Sequence, residues 1–189
     1  QRTALGLEVD VQKESGADNV AARLKGTIPT GAIVLLAHYD SSRGPGAADN
    51  GSGTAALLEI MRALVQSPAP RNDIIALFDD GEELPDEFTG TKAFVRKHPW
   101  MADVRVAVGM DTAARGFIST NDTGLNNGWM VAVMARAYTS GAWTSLSGGG
   151  NYDTQPFKSA GVQVLELEDN YPFVEQHTPN DIPELVNPG

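Results

Sequence analysis

His38, Asp40, Asp49, Glu82, Glu83, Asp111 and His177 are the residues of this chain whose types and placement suit metal chemistry. They combine two imidazoles with several carboxylates, and the chain holds no cysteine, so the donor set has no thiolate. Such a set suits zinc, with cobalt or manganese as substitutes. Each motif alone has a plainer reading. A pair such as His38-Tyr39-Asp40 is commonly a hydrogen-bonded structural pair. The run Asp79-Asp80-Gly81-Glu82-Glu83 alone reads as a solvated acidic loop, and it lacks the acid spacing and glycine placement of an EF-hand. Asp111 alone reads as a helix cap and His177 as a loop histidine. The third histidine, His98, ends a basic helix segment, where a cation suits the helix dipole.

The elements that position these residues follow from the apolar pattern. Residues 32–37 are apolar without alternation, as in a strand covered on both faces. That run ends at His38 and Asp40, which point the same way in an extended backbone. A glycine-rich turn from Gly44 to Gly53 carries Asp49. Leu57, Ile60, Met61 and Leu64 form one apolar stripe and predict a helix from Ser52 or Gly53, ended by Pro68 and Pro70. Residues 72–78 make a second apolar strand, which runs into the acidic stretch. Residues 104–110 make a third, which runs into Asp111. Residues 161–167 make a fourth, less apolar, which leads toward His177. Helices are expected over 89–97, 125–138 and from Asp153-Thr154 to Ala160, with a glycine loop at 145–150. Alternation in 5–11 and again in 20–24 predicts a hairpin at one side of the sheet, turning within 15–19.

The sum is an α/β chain, a three-layer α-β-α sandwich with a mixed, mostly parallel central sheet. No repeat or linker interrupts it, so residues 1–189 read as a single catalytic domain. In such sheets a ligand site lies beyond the carboxyl ends of the parallel strands. Here those ends carry His38, Glu82-Glu83 and Asp111. Crowding that many carboxylates is costly through like-charge repulsion unless cations neutralise them. Two divalent cations sharing a carboxylate would polarise a carbonyl and acidify a bridging water. A neighbouring carboxylate left out of coordination would be the general base.

At this level the motifs His38-Tyr-Asp40, Pro45-Gly-Ala-Ala-Asp49-Asn-Gly-Ser-Gly53, Gly81-Glu82-Glu83, Asp111, Asp153 and His177-Thr-Pro-Asn-Asp181 resemble, in order and spacing, those of the co-catalytic di-zinc aminopeptidases of clan MH, of aminopeptidase Y and bacterial leucine aminopeptidase type. The resemblance runs from about Asn19 to Asp181. It implies a zinc-peptidase-like fold, two Zn2+ ions and a peptide substrate. It implies Asp49 as the bridging carboxylate, with His38 and Asp111 completing one site and Glu83 and His177 the other. It implies Glu82 as the general base, with Asp40 holding the region of His38 in place. Asp181 is read as orienting His177 in a similar way.

Three departures stand out. The family often has a tyrosine just before the last histidine, where it stabilises the oxyanion; here that position is Gln176, leaving Gln176, Tyr152 and Tyr171 as alternatives. The loop from Leu84 to Gly90 is longer and more acidic than the family's. Relatives also continue past the last motif and begin further upstream, so the chain reads as a trimmed or minimal domain.

The net charge of −10 argues against nucleic acid and anionic membranes as partners. No apolar run is long enough to span a bilayer and no signal peptide is visible. Resemblance implies an extracytoplasmic location: secreted, periplasmic or membrane-tethered. Phe117, Trp129 and Trp143, near the predicted site loops, read either as the wall of a hydrophobic pocket or, as aromatics more often are, as simply packed. The alternative functions are a carboxypeptidase, with Arg43 or Arg115 facing the substrate carboxylate, a single-zinc glutaminyl cyclase, or a non-catalytic interaction domain.

Overall fold

The computed structural model describes residues 5–28, 30–83, 87–113, 118–120, 124, 126–137, 152–169 and 174–186. Its described strands are β1 (Glu8–Glu14), β2 (Ala17–Leu24), β3 (Ala32–His38), β4 (Asp73–Asp79), β5 (Val104–Asp111), β6 (Ile118–Thr120) and β7 (Gln163–Asp169). They form one sheet in the order β1-β2-β4-β3-β5-β7-β6. The four central strands, β4, β3, β5 and β7, are parallel. The β1–β2 hairpin joins antiparallel at one edge and β6 antiparallel at the other. All four parallel strands therefore end on one side of the sheet, at His38, Asp79, Asp111 and Asp169.

Side-chain alternation along these strands makes the two apolar layers. Val34, Leu36, Ile75, Leu77, Ala107 and Val164 face one way. They meet Phe94 of α2 (Thr89–Lys97) and Phe157 of α4 (Gln155–Ser159), and all of these are essentially inaccessible to solvent. Ile33, Leu35, Ala37, Ile74 and Ala76 face the other way, toward Leu57 and Met61 of α1 (Gly53–Gln66). The expected α1 stripe is complete, with Ile60 and Leu64 packed against the same cluster. This is the three-layer sandwich, and α2 has the expected bounds. By the same parity His38, Asp79 and Asp111 continue the rows of Leu36, Leu77 and Ala107. They extend the α2/α4 side of the sheet past its apolar part.

Some details differ from the sequence pattern. The helix expected over 125–138 is α3 (Gly128–Ala137). It starts later because buried Asn127 donates from Nδ2 to the Val164 carbonyl at 2.6 Å, tying the preceding turn to β7. The strand β6 is three residues long, too short to leave an alternation pattern. The glycine loop 145–150 lies outside the described residues. His98 is not an exposed cation at a helix end. It is 4% exposed and stacked on Phe94 with ring centroids 4.4 Å apart. Its Nδ1 accepts the Trp100 N–H at 3.2 Å, and burial pushes its pKa down, so the ring is neutral and structural.

The opposite end of the sheet is fastened by charge. Asp73, at the start of β4, accepts from Arg23 Nε at 2.7 Å, Lys25 Nζ at 3.2 Å and the Gly26 N–H at 2.7 Å. Burial pushes the Asp73 carboxyl up, but these three donors outweigh it and hold the pKa below the usual value. Stability from a depressed carboxyl is fully present above its unfolded pKa and is lost as pH falls through the folded one. Arg23 also holds Asp103 at 2.6 Å, so Asp73→Asn does not leave it unpaired, and we expect a loss of about 1–3 kcal/mol at pH 7 from the weakened bonds of Arg23, Lys25 and Gly26 to a neutral acceptor. The gap to wild type should narrow steadily below about pH 4 in urea denaturation.

Candidate metal centre

His38 closes β3 with its ring buried, 1% exposed. Its Nδ1 lies 3.2 Å from the Asp40 carbonyl, a partner that fixes the proton on Nδ1. That leaves Nε2 facing Asp49 Oδ1 at 3.3 Å and Asp111 Oδ1 at 3.7 Å, without a well-formed hydrogen bond to either. Burial pushes the His38 pKa down, yet Asp111, Asp40 and Asp49 more than offset it and raise it strongly. The surroundings of this nitrogen attract positive charge.

Asp49 is presented by a wide turn between β3 and α1, where the Gly51 N–H bonds to the Gly46 carbonyl at 2.8 Å. Gly46 has a φ of 63°, and a Cβ there would meet Ser41 at 2.7 Å, so this turn requires glycine. Asn50 anchors the turn to β5, donating from Nδ2 to the Met110 carbonyl at 2.8 Å. Asp181, 2% exposed, accepts the Ala48 N–H at 2.7 Å and the Asp49 N–H at 3.0 Å. This replaces the expected role of Asp181: its carboxylate holds the Asp49 peptide rather than the His177 ring.

Glu82 and Glu83 follow β4. Their N–H groups donate to Asp40 Oδ1 and Oδ2 at 3.2 and 3.0 Å. One carboxylate therefore couples the end of β3 to the acidic loop, which makes Asp40 a positioning group for His38, Glu82 and Glu83 together. His177 enters from the last loop at a φ of 58°. Its Nε2 lies 2.9 Å from Glu83 Oε1 and 3.0 Å from Asp49 Oδ2. Gln176 donates from Nε2 to the same Asp49 oxygen at 2.8 Å.

Two donor groups result, His38–Asp49–Asp111 and Asp49–Glu83–His177, each with its ligand atoms within 4.8 Å of one another. Asp49 belongs to both: Oδ1 faces the first and Oδ2 the second. Imidazole and carboxylate donors fit zinc, and the unsatisfied Nε2 of His38 gives the fit a structural basis. Glu82 is in neither group. Burial, with the charges of Asp111, Glu83 and Asp49, pushes its pKa up to about 8 against the opposing pull of His38.

Behind the centre lie carboxyls that the sequence pattern had not shown to be buried. Thr91 Oγ1 is 2.9 Å from Asp79 Oδ2 and 3.1 Å from Asp153 Oδ1. One hydroxyl proton cannot serve two carboxylates, so the pair Asp79–Asp153 retains a proton, and burial raises both pKa values. Glu166 of β7 accepts from Thr154 Oγ1 at 2.8 Å and fills the space where a Gly109 Cβ would stand. The signal in the sequence was the alternation of Glu166 and Glu168 with Leu165 and Leu167 in the least apolar of the parallel strands.

The cavity over the two groups has a volume of about 350 Å³. Besides the residues above, its described lining includes Glu87, Tyr152 and Glu168, and no Lys or Arg. Of the aromatics expected near the site, Trp129 is outside that lining and 52% exposed on α3, while Phe117 and Trp143 lie outside the described residues, as do Arg115 and Tyr171.

The sequence profile of peptidase family M28 matches residues 19–189. The chain belongs to peptidase family M28. Among relatives, a vacuolar membrane protease of Candida albicans is 30% identical over 182 residues, 91% of this chain and 21% of that protein. Among solved structures, a zinc aminopeptidase from Bacillus subtilis superposes with a TM-score of 0.75 at 26% identity, over 90% of this chain and 45% of that one. A glutaminyl cyclase from an Acidobacteriales bacterium shares the fold, with a TM-score of 0.71 at 23% identity over 96% of this chain and 73% of that one. The chain thus spans about a fifth of the vacuolar relative and under half of the Bacillus enzyme. Among the described residues of this M28 chain no helix is long and apolar enough to cross a membrane.

Proposed function

We propose that this M28 chain is a zinc-dependent aminopeptidase that removes N-terminal residues from peptides. The observation that carries the proposal is the double placement of Asp49, with one carboxylate oxygen in each donor group. His38 and Asp111 would hold one Zn2+, Glu83 and His177 the other, and Asp49 both. Bound there, the ions would polarise the scissile carbonyl and acidify the attacking water.

The chain's own residues supply the rest. Asp40 keeps the His38 proton on Nδ1 and fixes the Glu82 and Glu83 peptides. The Glu82 carboxylate takes a proton from the water and delivers it to the departing amine. Burial, which persists when cations occupy the centre, raises the Glu82 pKa above that of an exposed glutamate and so helps it to hold the proton between the two transfers. Gln176, whose Nε2 already points into the centre, is the described amide donor available to the developing oxyanion.

A carboxypeptidase would need a cation facing the substrate carboxylate, and the described lining has none. A single-zinc cyclase would use one of the two donor groups and leave the other uncoordinated. The test is zinc-loaded protein against aminoacyl-4-nitroanilides and short peptides, with C-terminally free and N-terminally blocked peptides as controls. Release of N-terminal residues, abolished by chelation and restored by zinc, is expected. Inertness toward free N-termini would sink the aminopeptidase reading, and cyclisation of N-terminal glutamine with about one zinc per chain would replace it. For the location we propose an extracytoplasmic compartment, a reading supported by the name of the vacuolar relative.

A further inference from the structure

The three carboxylate ligands are supported in different ways. Asp49 takes a bond from Gln176, and Glu83 lies against His177. Among the described residues, the Asp111 carboxylate takes its hydrogen bond from its own neighbour in sequence: Thr112 Oγ1 donates to Asp111 Oδ1 at 2.9 Å. His38 does not supply one, because its proton is kept on Nδ1 and its Nε2 stands 3.7 Å from that same oxygen. Thr112 reaches back to Asp111 from an unusual backbone. Its φ is 43°, in the left-handed region that β-branched residues rarely enter, and it is 4% exposed. The conformation is held from both sides. The Thr112 carbonyl accepts the Asp169 N–H from the end of β7 at 3.3 Å, and the next N–H, of Ala113, donates to Ser52 Oγ at 2.9 Å. Ser52 Oγ donates in turn to the Ala48 carbonyl at 2.6 Å, in the turn that presents Asp49.

We infer that Thr112 is a positioning residue of the metal centre, whose hydroxyl sets the rotation of the Asp111 carboxylate and so fixes the ion shared by His38 and Asp111. This rests on the two-ion centre proposed above. Glycine or asparagine would take the Thr112 backbone with less strain. What threonine brings instead is a hydroxyl within reach of the preceding carboxylate. Strain that persists because its surroundings over-determine it clusters at functional sites. The terminal torsion of an aspartate is broad, so the Asp111 carboxylate, 18% exposed, would turn freely without a partner. The bond to Oδ1 keeps that oxygen toward His38 Nε2 and leaves it a lone pair for the ion. Bonds of this kind orient metal ligands, and removing one costs metal affinity. The second donor group does not contain Asp111, so the hydroxyl acts on one site of the two.

The experiment measures zinc affinity, by competition with a chromogenic chelator, at one site at a time. His177→Ala leaves the first donor group complete, and His38→Ala leaves the second. Thr112→Val keeps the branch at Cβ and removes the hydroxyl. It is expected to weaken zinc binding by about tenfold or more in the His177→Ala background and to leave it unchanged in the His38→Ala background. Thr112→Ser keeps the hydroxyl and is expected to bind zinc as the threonine protein does. Equal weakening in both backgrounds overturns the inference, because a damaged fold would reach both sites. So does an unchanged affinity in the His177→Ala background, or a Thr112→Ser variant as weak as Thr112→Val. Should Thr112→Val fail to fold, Thr112→Ala removes the hydroxyl without the branch and must show the same one-sided loss. The readout is affinity and does not need turnover. A one-sided loss in a protein that releases no N-terminal residue supports the inference and overturns only the aminopeptidase reading. Wild type that binds no zinc overturns both.

Discussion

Glu82→Gln is expected to leave the zinc content unchanged and to reduce kcat by about 10²–10⁴-fold, the usual contribution of a positioned general base. The two halves of this expectation come from different observations. Metal retention follows because Glu82 is in neither donor group, and its N–H bond to Asp40 is made by the backbone, which glutamine keeps. The loss of rate follows because an amide cannot take a proton from water at neutral pH. Glu82 is the titratable group at the centre that is both free of ligand duty and raised in pKa to about 8 by burial and by Asp111, Glu83 and Asp49. Cations on those three carboxylates would remove the repulsion that contributes to this rise, so the acid limb of the pH–rate profile should fall below that value in zinc-loaded protein. Elemental analysis and anilide hydrolysis on the same preparation make the check. Full activity in Glu82→Gln would assign the base elsewhere. Loss of zinc would make Glu82 a ligand.

The part of this centre that was legible in the sequence is the part fixed by local pattern. Three runs of buried residues ended in His38, Asp79–Glu83 and Asp111, and the rule that ligands gather beyond parallel strand ends brought them together. The resemblance to the di-zinc peptidases then placed His177 beside Glu83, and the two lie 2.9 Å apart. What stayed hidden depends on contacts between distant segments. The Asp181 bond to the Asp49 N–H spans 132 residues, and its direction could not be inferred from a motif that places the same residue beside His177. His98 carries a helix-end signature, but its environment is set by Phe94, Trp100 and Asp10 in the folded chain. Glu166 and Glu168 look like two acids on a half-exposed strand. Only the neighbouring strand's Gly109 makes room to bury the first, and only Tyr152 fixes the second in the cavity. Of the aromatics that could have lined an apolar pocket, Trp129 is outside the described lining, which is acidic.

Asp49→Ala should remove metal from both sites at once. A ligand of one site alone, such as His38 or His177, would give a protein that loses one ion first. Asp49 is the only residue shared by the two groups among the described residues, so its removal leaves each with two ligands. Wild type is expected to hold about two zincs per chain and Asp49→Ala less than one after dialysis. The fold itself should survive, because the apolar clusters lie below the strand ends and do not include Asp49. Against burial, which raises it, His38, Gln176 and His177 hold the Asp49 pKa down, so its carboxylate stabilises the metal-free fold above its unfolded pKa, and metal-free Asp49→Ala should be less stable than metal-free wild type at pH 7. Zinc should raise the melting temperature of wild type and leave the variant unmoved, since a ligand that binds only the native state stabilises it in proportion to its affinity. Asp181→Ala separates ligation from positioning. It keeps every ligand but strips the acceptors from the buried Ala48 and Asp49 N–H groups, at a cost of about 1–3 kcal/mol for each group left unsatisfied. Its zinc affinity should fall while its stoichiometry at saturating zinc stays near two. A single zinc in wild type would end the shared-carboxylate assignment, because a lone ion needs only one of the two faces that Asp49 presents.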